Sequence, residues 1–403
     1  MSQDAALRER AARVIPGGLW GHLRVQGLPP GYPQFFSRAQ GCRLWDADGR
    51  EFIDFMCSWG PVVLGHHDPD VQAAAAAQAR LGDTMNGPAP VLVELAEHFT
   101  SLVAHADWVL FAKNGTDATT ICVTTARAAT GRRKLLVAQG AYHGAAPWCT
   151  PYPAGTTAED RAHLLHYRYN DIASLEQAAA QAGEDLAAVL VSPFRHDYGV
   201  DLELPTPGFA TAARALCDRT GAALILDEVR TGCRLDLAGS WEHLGVRPDL
   251  AAWSKAIANG HALAAVTGND RYRAAAASIF VTGSFWCGAV AMAAALATLR
   301  KLQALDGIAQ MRAMGQRLRD GLGAQAAAHG FRIRQSGPPQ MPLLLFDDDP
   351  DCALGTAFCS LALQRGVYLH PKHNMFLSVA HRAEDIDQAL QATDDAFAAL
   401  ARR

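Results

Sequence analysis

Four short stretches carry residues whose types and spacing could do chemistry. In LILDEVRTGCR, Asp227 and Glu228 follow directly on the aliphatic Leu224, Ile225 and Leu226. A carboxylate at the end of a buried strand gives up hydration and needs a cation or several donors to stay ionised. A protonated heterocyclic nitrogen would serve, and so would helix capping or an ion pair with Arg230 or Arg234. In DLAAWSKAIANG, Lys255 follows an apolar run. Such a setting disfavours the ammonium, and the neutral amine can condense with an aldehyde to give a Schiff base. A lysine that reaches from an apolar run to the surface reads the same way. FAKNGTDAT places Asn114, Gly115 and Thr116 where a strand passes into a helix, so free N–H groups and the helix dipole could hold a phosphate. An ordinary N-cap fits these residues equally. GAYHGAAPW offers Tyr142 as a flat face for an aromatic ring with His143 beside it, or else a core tyrosine with a bonded hydroxyl.

These residues need elements to hold them. From about Val91 helices alternate with short aliphatic runs: Leu92, Leu95, Ala96, Phe99, Leu102 and Val103 share a helical face before the strand-like WVLFA. AAVLV, a helix with Phe209, Ala212, Ala213 and Leu216 on one side, and ALIL form a strand-helix-strand unit, which implies a mostly parallel sheet flanked by helices. Ligands of such α/β sheets bind beyond the carboxyl ends of the strands, where Asp227 falls. We expect an N-terminal segment over 1–55 with a hairpin in CRLWDADGREFIDF, a large ligand-binding domain over 56–291, and a smaller α+β domain over 292–403. In the last, RIRQ, MPLLLF, GVYL and FLSVA read as strands, and Ile386, Leu390, Phe397 and Leu400 as one helical face. DDDPD, residues 347–351, lacks the glycine and distal glutamate of a calcium loop and reads as a solvated turn.

The 403 residues are 50% hydrophobic and 19% charged with a formal charge of -4, which provides no field for nucleic acid. No apolar run approaches the roughly 20 residues of a membrane span, and the polar start is unlike a targeting segment. The nine cysteines stand singly, without a CxxC pair, so neither a disulfide framework nor a metal site is expected, and a reducing cytoplasm fits.

The order of these pieces resembles a class-III aminotransferase of the pyridoxal-phosphate fold-type-I group, within which the chain is most similar to glutamate-1-semialdehyde 2,1-aminomutases. The likeness runs nearly end to end through IPGGLWGHLR, LWDADGREFIDFMCSWGPVVLGHHDP, NGTDAT, ARAATGR, AYHG, LDEVRTGCR, GVRPDLAAWSKAIANG, AMAAALATL, RGVYLHP and LSVAH. It implies that Lys255 forms the Schiff base with pyridoxal 5'-phosphate and later moves protons, with pyridoxamine 5'-phosphate as the intermediate. Asp227 then partners the pyridine nitrogen, Tyr142 stacks on the ring with His143 beside it, Val229 presses on the opposite face, and Asn114, Gly115 and Thr116 cradle the phosphate. The family borrows a phosphate-binding hydroxyl from a neighbouring subunit, here Ser284, so the resemblance implies a homodimer with a shared active site. Arg24 matches an arginine that pairs with a substrate carboxylate, and Trp59 a residue lining the same pocket.

Departures cluster around the substrate. Asn114 replaces a serine and Asp117 a glutamate, Ser192-Pro193-Phe194 stands for Glu-Pro-Val, and RHDYG and GSFWCGA replace AGNMG-like and GTLSGNP segments. Gly21 replaces a serine beside the arginine, and KHNMF an FEAGF-like stretch. These changes favour an aminotransferase acting on an amine or amino acid and a keto or aldehyde acceptor. The alternative is an intramolecular aminomutase; a decarboxylase or racemase on the same scaffold ranks below both.

Overall fold

Residues 2–402 are described by a computed structural model. The aliphatic runs assemble into a seven-stranded sheet in the order Trp108–Ala112, Ala264–Gly268, Leu250–Trp253, Ala223–Asp227, Leu186–Val191, Lys134–Ala138, Leu164–Tyr167. Ala264–Gly268 runs antiparallel to both neighbours, and every other adjacent pair is parallel. Helices cover the sheet, which explains why central strands such as LAAVLV and ALILD are apolar at nearly every position and buried throughout. This is the mostly parallel α/β sheet that the strand-helix-strand pattern predicts.

Small residues bring the helices close. Helix Gly115–Thr130 buries Ala118, Cys122 and Ala126 in the core cluster that contains Leu135, Leu190, Ile225 and Val266. Helix Pro207–Thr220 starts where Thr206 accepts the Phe209 N–H at 3.1 Å, has proline in its first turn, and stops at Gly221 with φ 75°. Each signal is written in the sequence. The sheet belongs to a unit made of Pro69–Asp197 and Glu203–Ile308.

A second unit comprises the chain up to Asp68, Tyr198–Leu202 and the chain from Ala309 on. Its sheet orders Phe36–Gln40, Arg43–Asp46, Glu51–Asp54 and Val367–Tyr368, the last pair parallel. Ile333–Ser336 and Leu343–Phe346 form a separate antiparallel pair. Helix Ala383–Leu400 packs Phe397 against Phe358, with ring centroids 4.3 Å apart. FLSVA, expected as a strand, is not one. The Phe376, Leu377 and Val379 N–H groups donate to the carbonyls of Phe55, Gln340 and Val63, three separate segments, so no ladder forms. In the Asp347–Asp351 run, the Asp349 carboxylate accepts from the Leu354 and Gly355 N–H groups at 3.1 and 2.9 Å and so starts helix Ala353–Leu363.

Candidate active site

The parallel strands deliver their carboxyl ends to one edge of the sheet, and the chemistry-bearing loops follow those ends. After Trp108–Ala112, Asn114 caps helix Gly115–Thr130 by a reciprocal box: its side-chain oxygen accepts the Asp117 N–H, and the Asp117 carboxylate accepts the Asn114 N–H, both at 3.1 Å. The Asn114 oxygen is therefore committed to the cap. The Gly115 and Thr116 N–H groups and the positive end of the dipole can face an anion at the helix start. Gly115 lies under Val229: a Cβ there would stand 2.6 Å from Val229 Cγ1. Thr116 Oγ1 accepts the Ala145 N–H at 3.1 Å, and Thr119 Oγ1 donates to the His143 carbonyl at 2.7 Å. These bonds staple the helix start to the Tyr142–Ala145 loop, and Gly144, with φ 128°, lets the two approach.

Asp227 closes strand Ala223–Asp227, and its Oδ2 lies 2.6 Å from Nδ1 of the buried His143. Its Oδ1 accepts the Val229 N–H at 3.1 Å. The partner of this carboxylate is thus an imidazole, a link that the adjacency of Tyr142 and His143 does not reveal. Glu228 has a different task. Fully buried, it accepts from Thr231 Oγ1 at 2.6 Å and from the Ser240 N–H at 2.7 Å, closing the turn behind the site, and burial pushes its carboxyl up to about 7.

Lys255 follows Ser254 at the end of strand Leu250–Trp253, with a left-handed backbone, φ 49°. Burial lowers its ammonium to about 7, the neighbouring Arg230 pushes the same way, and Asp227 opposes them. A large share of its amine is therefore neutral near pH 7, where an exposed lysine is almost wholly charged, and the neutral form is what a nucleophile or proton acceptor requires. His196 is likewise held neutral by burial, reinforced by Arg230 and Lys255. Tyr142 keeps 46% of its surface exposed, and burial of the remainder raises its phenol.

This unit brings Gly115, Thr116, Tyr142, His143, Asp227, Val229 and Lys255 to one sheet edge. Arg230, which the sequence offers as an ion-pair partner for Asp227, shares the electrostatic neighbourhood with His196 and Asp197; the last two were not singled out from sequence, and a charged RHDYG segment after an apolar strand was the available signal. Ser284 is exposed between helices Asp270–Ser278 and Ala289–Ala304; Phe285 beside it is 68% exposed, and Trp286 packs on the core cluster. Arg24 and Trp59 belong to the other unit. Arg24 is exposed, its Nε 3.6 Å from where a Gly17 Cβ would stand, and Trp59 is half-buried.

An amine kept neutral, a buried carboxylate, an aromatic face and a helix start pressed close by glycine fit pyridoxal phosphate. A class-III aminotransferase family model matches residues 29–397. The chain belongs to the class-III aminotransferases. It is a pyridoxal-phosphate-dependent enzyme that moves an amino group to a keto or aldehyde acceptor. It is 51% identical over 396 residues to an aminopentol aminotransferase of Sphingopyxis macrogoltabida, covering 98% of this chain and 94% of the relative. It is 50% identical, with a TM-score of 0.98, to the FumI protein of Sphingopyxis sp. MTA144 in its PLP internal aldimine form, over 99% of this chain and 97% of that one. An omega-transaminase from Sphaerobacter thermophilus is 27% identical with a TM-score of 0.90, over 100% of this aminotransferase and 98% of that chain. No helix among the described residues is long and apolar enough to cross a membrane.

Proposed function

We propose that Lys255 is the residue that bonds the cofactor and carries the proton in this aminotransferase, with a polyhydroxylated amine of the aminopentol kind as donor. The observation that carries the first part is the Lys255 ammonium at the end of strand Leu250–Trp253, lowered to about 7 by burial against the opposing charge of Asp227. Pyridoxal phosphate, when bound, supplies an aldehyde to capture the donor nitrogen and an electron-poor ring to take up the charge left when a proton departs. Lys255 Nζ, as the free amine, accepts that proton from the donor carbon and returns it on the opposite side of the transfer. Asp227 would keep a cationic ring nitrogen protonated, and the His143 Nδ1 bond at 2.6 Å fixes its carboxylate in place. Tyr142 and Val229 would hold the ring between them, and Gly115 and Thr116 would present N–H groups to the phosphate, with Asn114 capping the helix.

Arg24 and Trp59 serve the substrate. The working form is a homodimer in which Ser284 of one copy reaches the other's phosphate; it is supported by the exposure of Ser284 beside Phe280 and Phe285, which are 93% and 68% exposed. The cytoplasm is its compartment, in keeping with cysteines scattered singly along the chain. The donor reading rests on the 51% identity to a relative named for aminopentol.

The test is to add aminopentol to the pyridoxal-phosphate-loaded enzyme, then offer keto acids and aldehydes. We expect the near-ultraviolet and violet bands to change with the donor and to recover with one class of acceptor. Isomerisation of an amino substrate without any acceptor would instead establish an aminomutase.

A further inference from the structure

The loop that carries Ser284 is built to a fixed shape. Ile279, Val281 and Trp286 pack on the core cluster while Phe280, Ser284 and Phe285 stay exposed, so the chain is pinned from within. The Trp286 N–H donates to the Gly283 carbonyl and the Gly288 N–H to the Phe285 carbonyl, both at 3.0 Å, which makes two overlapping turns, the first enclosing Ser284. Gly283 lies against the Trp286 indole with no room for a Cβ. Asp83 fastens the far end: its carbonyl accepts the Ala289 N–H at 3.1 Å and its Oδ1 the Val290 N–H at 2.9 Å, at the start of helix Ala289–Ala304. A hydroxyl presented by such a loop loses little freedom when it meets an anion.

One charged side chain from elsewhere in the same unit reaches this loop. Lys113 follows strand Trp108–Ala112 and directly precedes Asn114, and its N–H donates to Asp117 Oδ2 at 3.3 Å, so its backbone belongs to the start of helix Gly115–Thr130. Its Nζ stands 3.0 Å from where a Gly288 Cβ would be, with the Phe285 carbonyl oxygen 3.1 Å and Asp83 Oδ1 3.3 Å from the same point. Gly288 is buried, and its missing side chain leaves the space beside which the ammonium lies. Burial lowers this half-buried ammonium, and Asp83 and Cys287 oppose that shift, as for a cation lodged between an acid and a loop. An amine one residue before a phosphate cradle could pair with the phosphate directly; the place of its Nζ against Gly288 assigns it to the loop. Lys113, Asp83, the loop and Lys255 all lie in one unit.

We propose that Lys113 is a positioning residue for the shared active site: it clamps the Gly283–Gly288 loop to the helix start of its own copy, so that Ser284 meets the phosphate held by the second copy. This rests on the homodimer proposed above. The test uses dimers assembled from two differently tagged copies, one of which carries Lys255→Ala. Borohydride then fixes pyridoxal phosphate only in the copy that retains Lys255, and that site receives Ser284 from the Lys255→Ala copy. Lys113→Met placed in the Lys255→Ala copy should raise the pyridoxal phosphate concentration for half-maximal trapping roughly tenfold, the effect of about one misplaced hydrogen bond. Placed in the copy that retains Lys255, it should leave that concentration within about twofold of the dimer without it, a margin below the loss of one hydrogen bond. Equal losses in the two arrangements, or a loss in the second alone, overturn the proposal, because Lys113 would then act on its own helix start. Ser284→Ala in the Lys255→Ala copy should give the same rise. If it does and Lys113→Met changes nothing, the clamp fails and the shared site stands. If Ser284→Ala changes nothing, or the loaded wild-type chain is a monomer by light scattering, the shared site fails and the clamp with it. Should Lys113→Met not assemble, Asp83→Asn, which keeps the Oδ1 bond to Val290 and removes the charge beside Lys113, decides in the same two arrangements.

Discussion

The carboxyl edge of the seven-stranded sheet and the Cys57–Gly60 turn hold functional side chains by opposite means. At the sheet edge regular elements do the positioning: Asp227 ends a strand, Thr116 opens a helix, and Lys255 follows a strand, with only the last showing a left-handed φ of 49°. The Trp59 turn is irregular throughout, enforced by hydrogen bonds to Asp54 and by packed rings. The difference separates chemistry from selectivity. A reaction shared across many substrates needs its acid, base and anion site at constant separation, and strand ends hold them rigidly. A recognition surface specific to one donor can lie on loops, where substitutions leave the sheet intact.

The sharpest way to break this division is Lys255→Ala. Turnover should fall on the order of 10⁴-fold for every donor, because proton transfer and covalent capture are both lost. A variant that retained a tenth of wild-type kcat would remove Lys255 from the mechanism. Next in size, His143→Phe should lower kcat roughly tenfold to a hundredfold, again for all donors alike, since Asp227 loses a hydrogen bond between charged or polar buried groups. Donor-dependent losses would move His143 to the recognition side of the comparison.

Gly115→Ala is smaller and tests rigidity. Its Cβ would meet Val229 Cγ1 at 2.6 Å, so about 1–3 kcal/mol of stability should be lost in urea unfolding of the apoprotein. Val229→Ala in that background should recover most of the loss; failure to do so would mean that the close approach has another cause.

A further test is in pH. With its folded-state pKa near 7 against an ordinary 10.5, Lys255 binds fewer protons folded than unfolded between those values. The apoprotein should therefore gain stability as pH rises from about 7 towards 10.5, and Lys255→Met should erase that gain. An amine-directed reagent, followed by peptide mass spectrometry, should label Lys255 half-maximally near pH 7, well below the range for exposed lysines.

Much of the sheet edge was legible from sequence because short aliphatic runs followed by polar residues mark strand ends, as with LILDEV and WVLFAKNGT. Local spacing cannot report pairs distant in the chain, so His143 as the partner of Asp227, 84 residues apart, was not foreseen. FLSVA misled because its apolar residues pack into the core while its N–H groups find carbonyls on separate segments, a distinction that hydrophobic pattern does not encode. The ring cluster of His22, Trp59, His370 and His373 is likewise gathered from remote stretches, and of these residues the sequence singles out Trp59 alone.

The most direct test of the central claim is borohydride reduction of the enzyme loaded with pyridoxal phosphate, followed by peptide mapping. The account predicts the reduced cofactor on the peptide that contains Lys255. Cofactor fixed instead on Lys113, Lys134, Lys301 or Lys372, the remaining lysines, or equal trapping in Lys255→Ala, would contradict it.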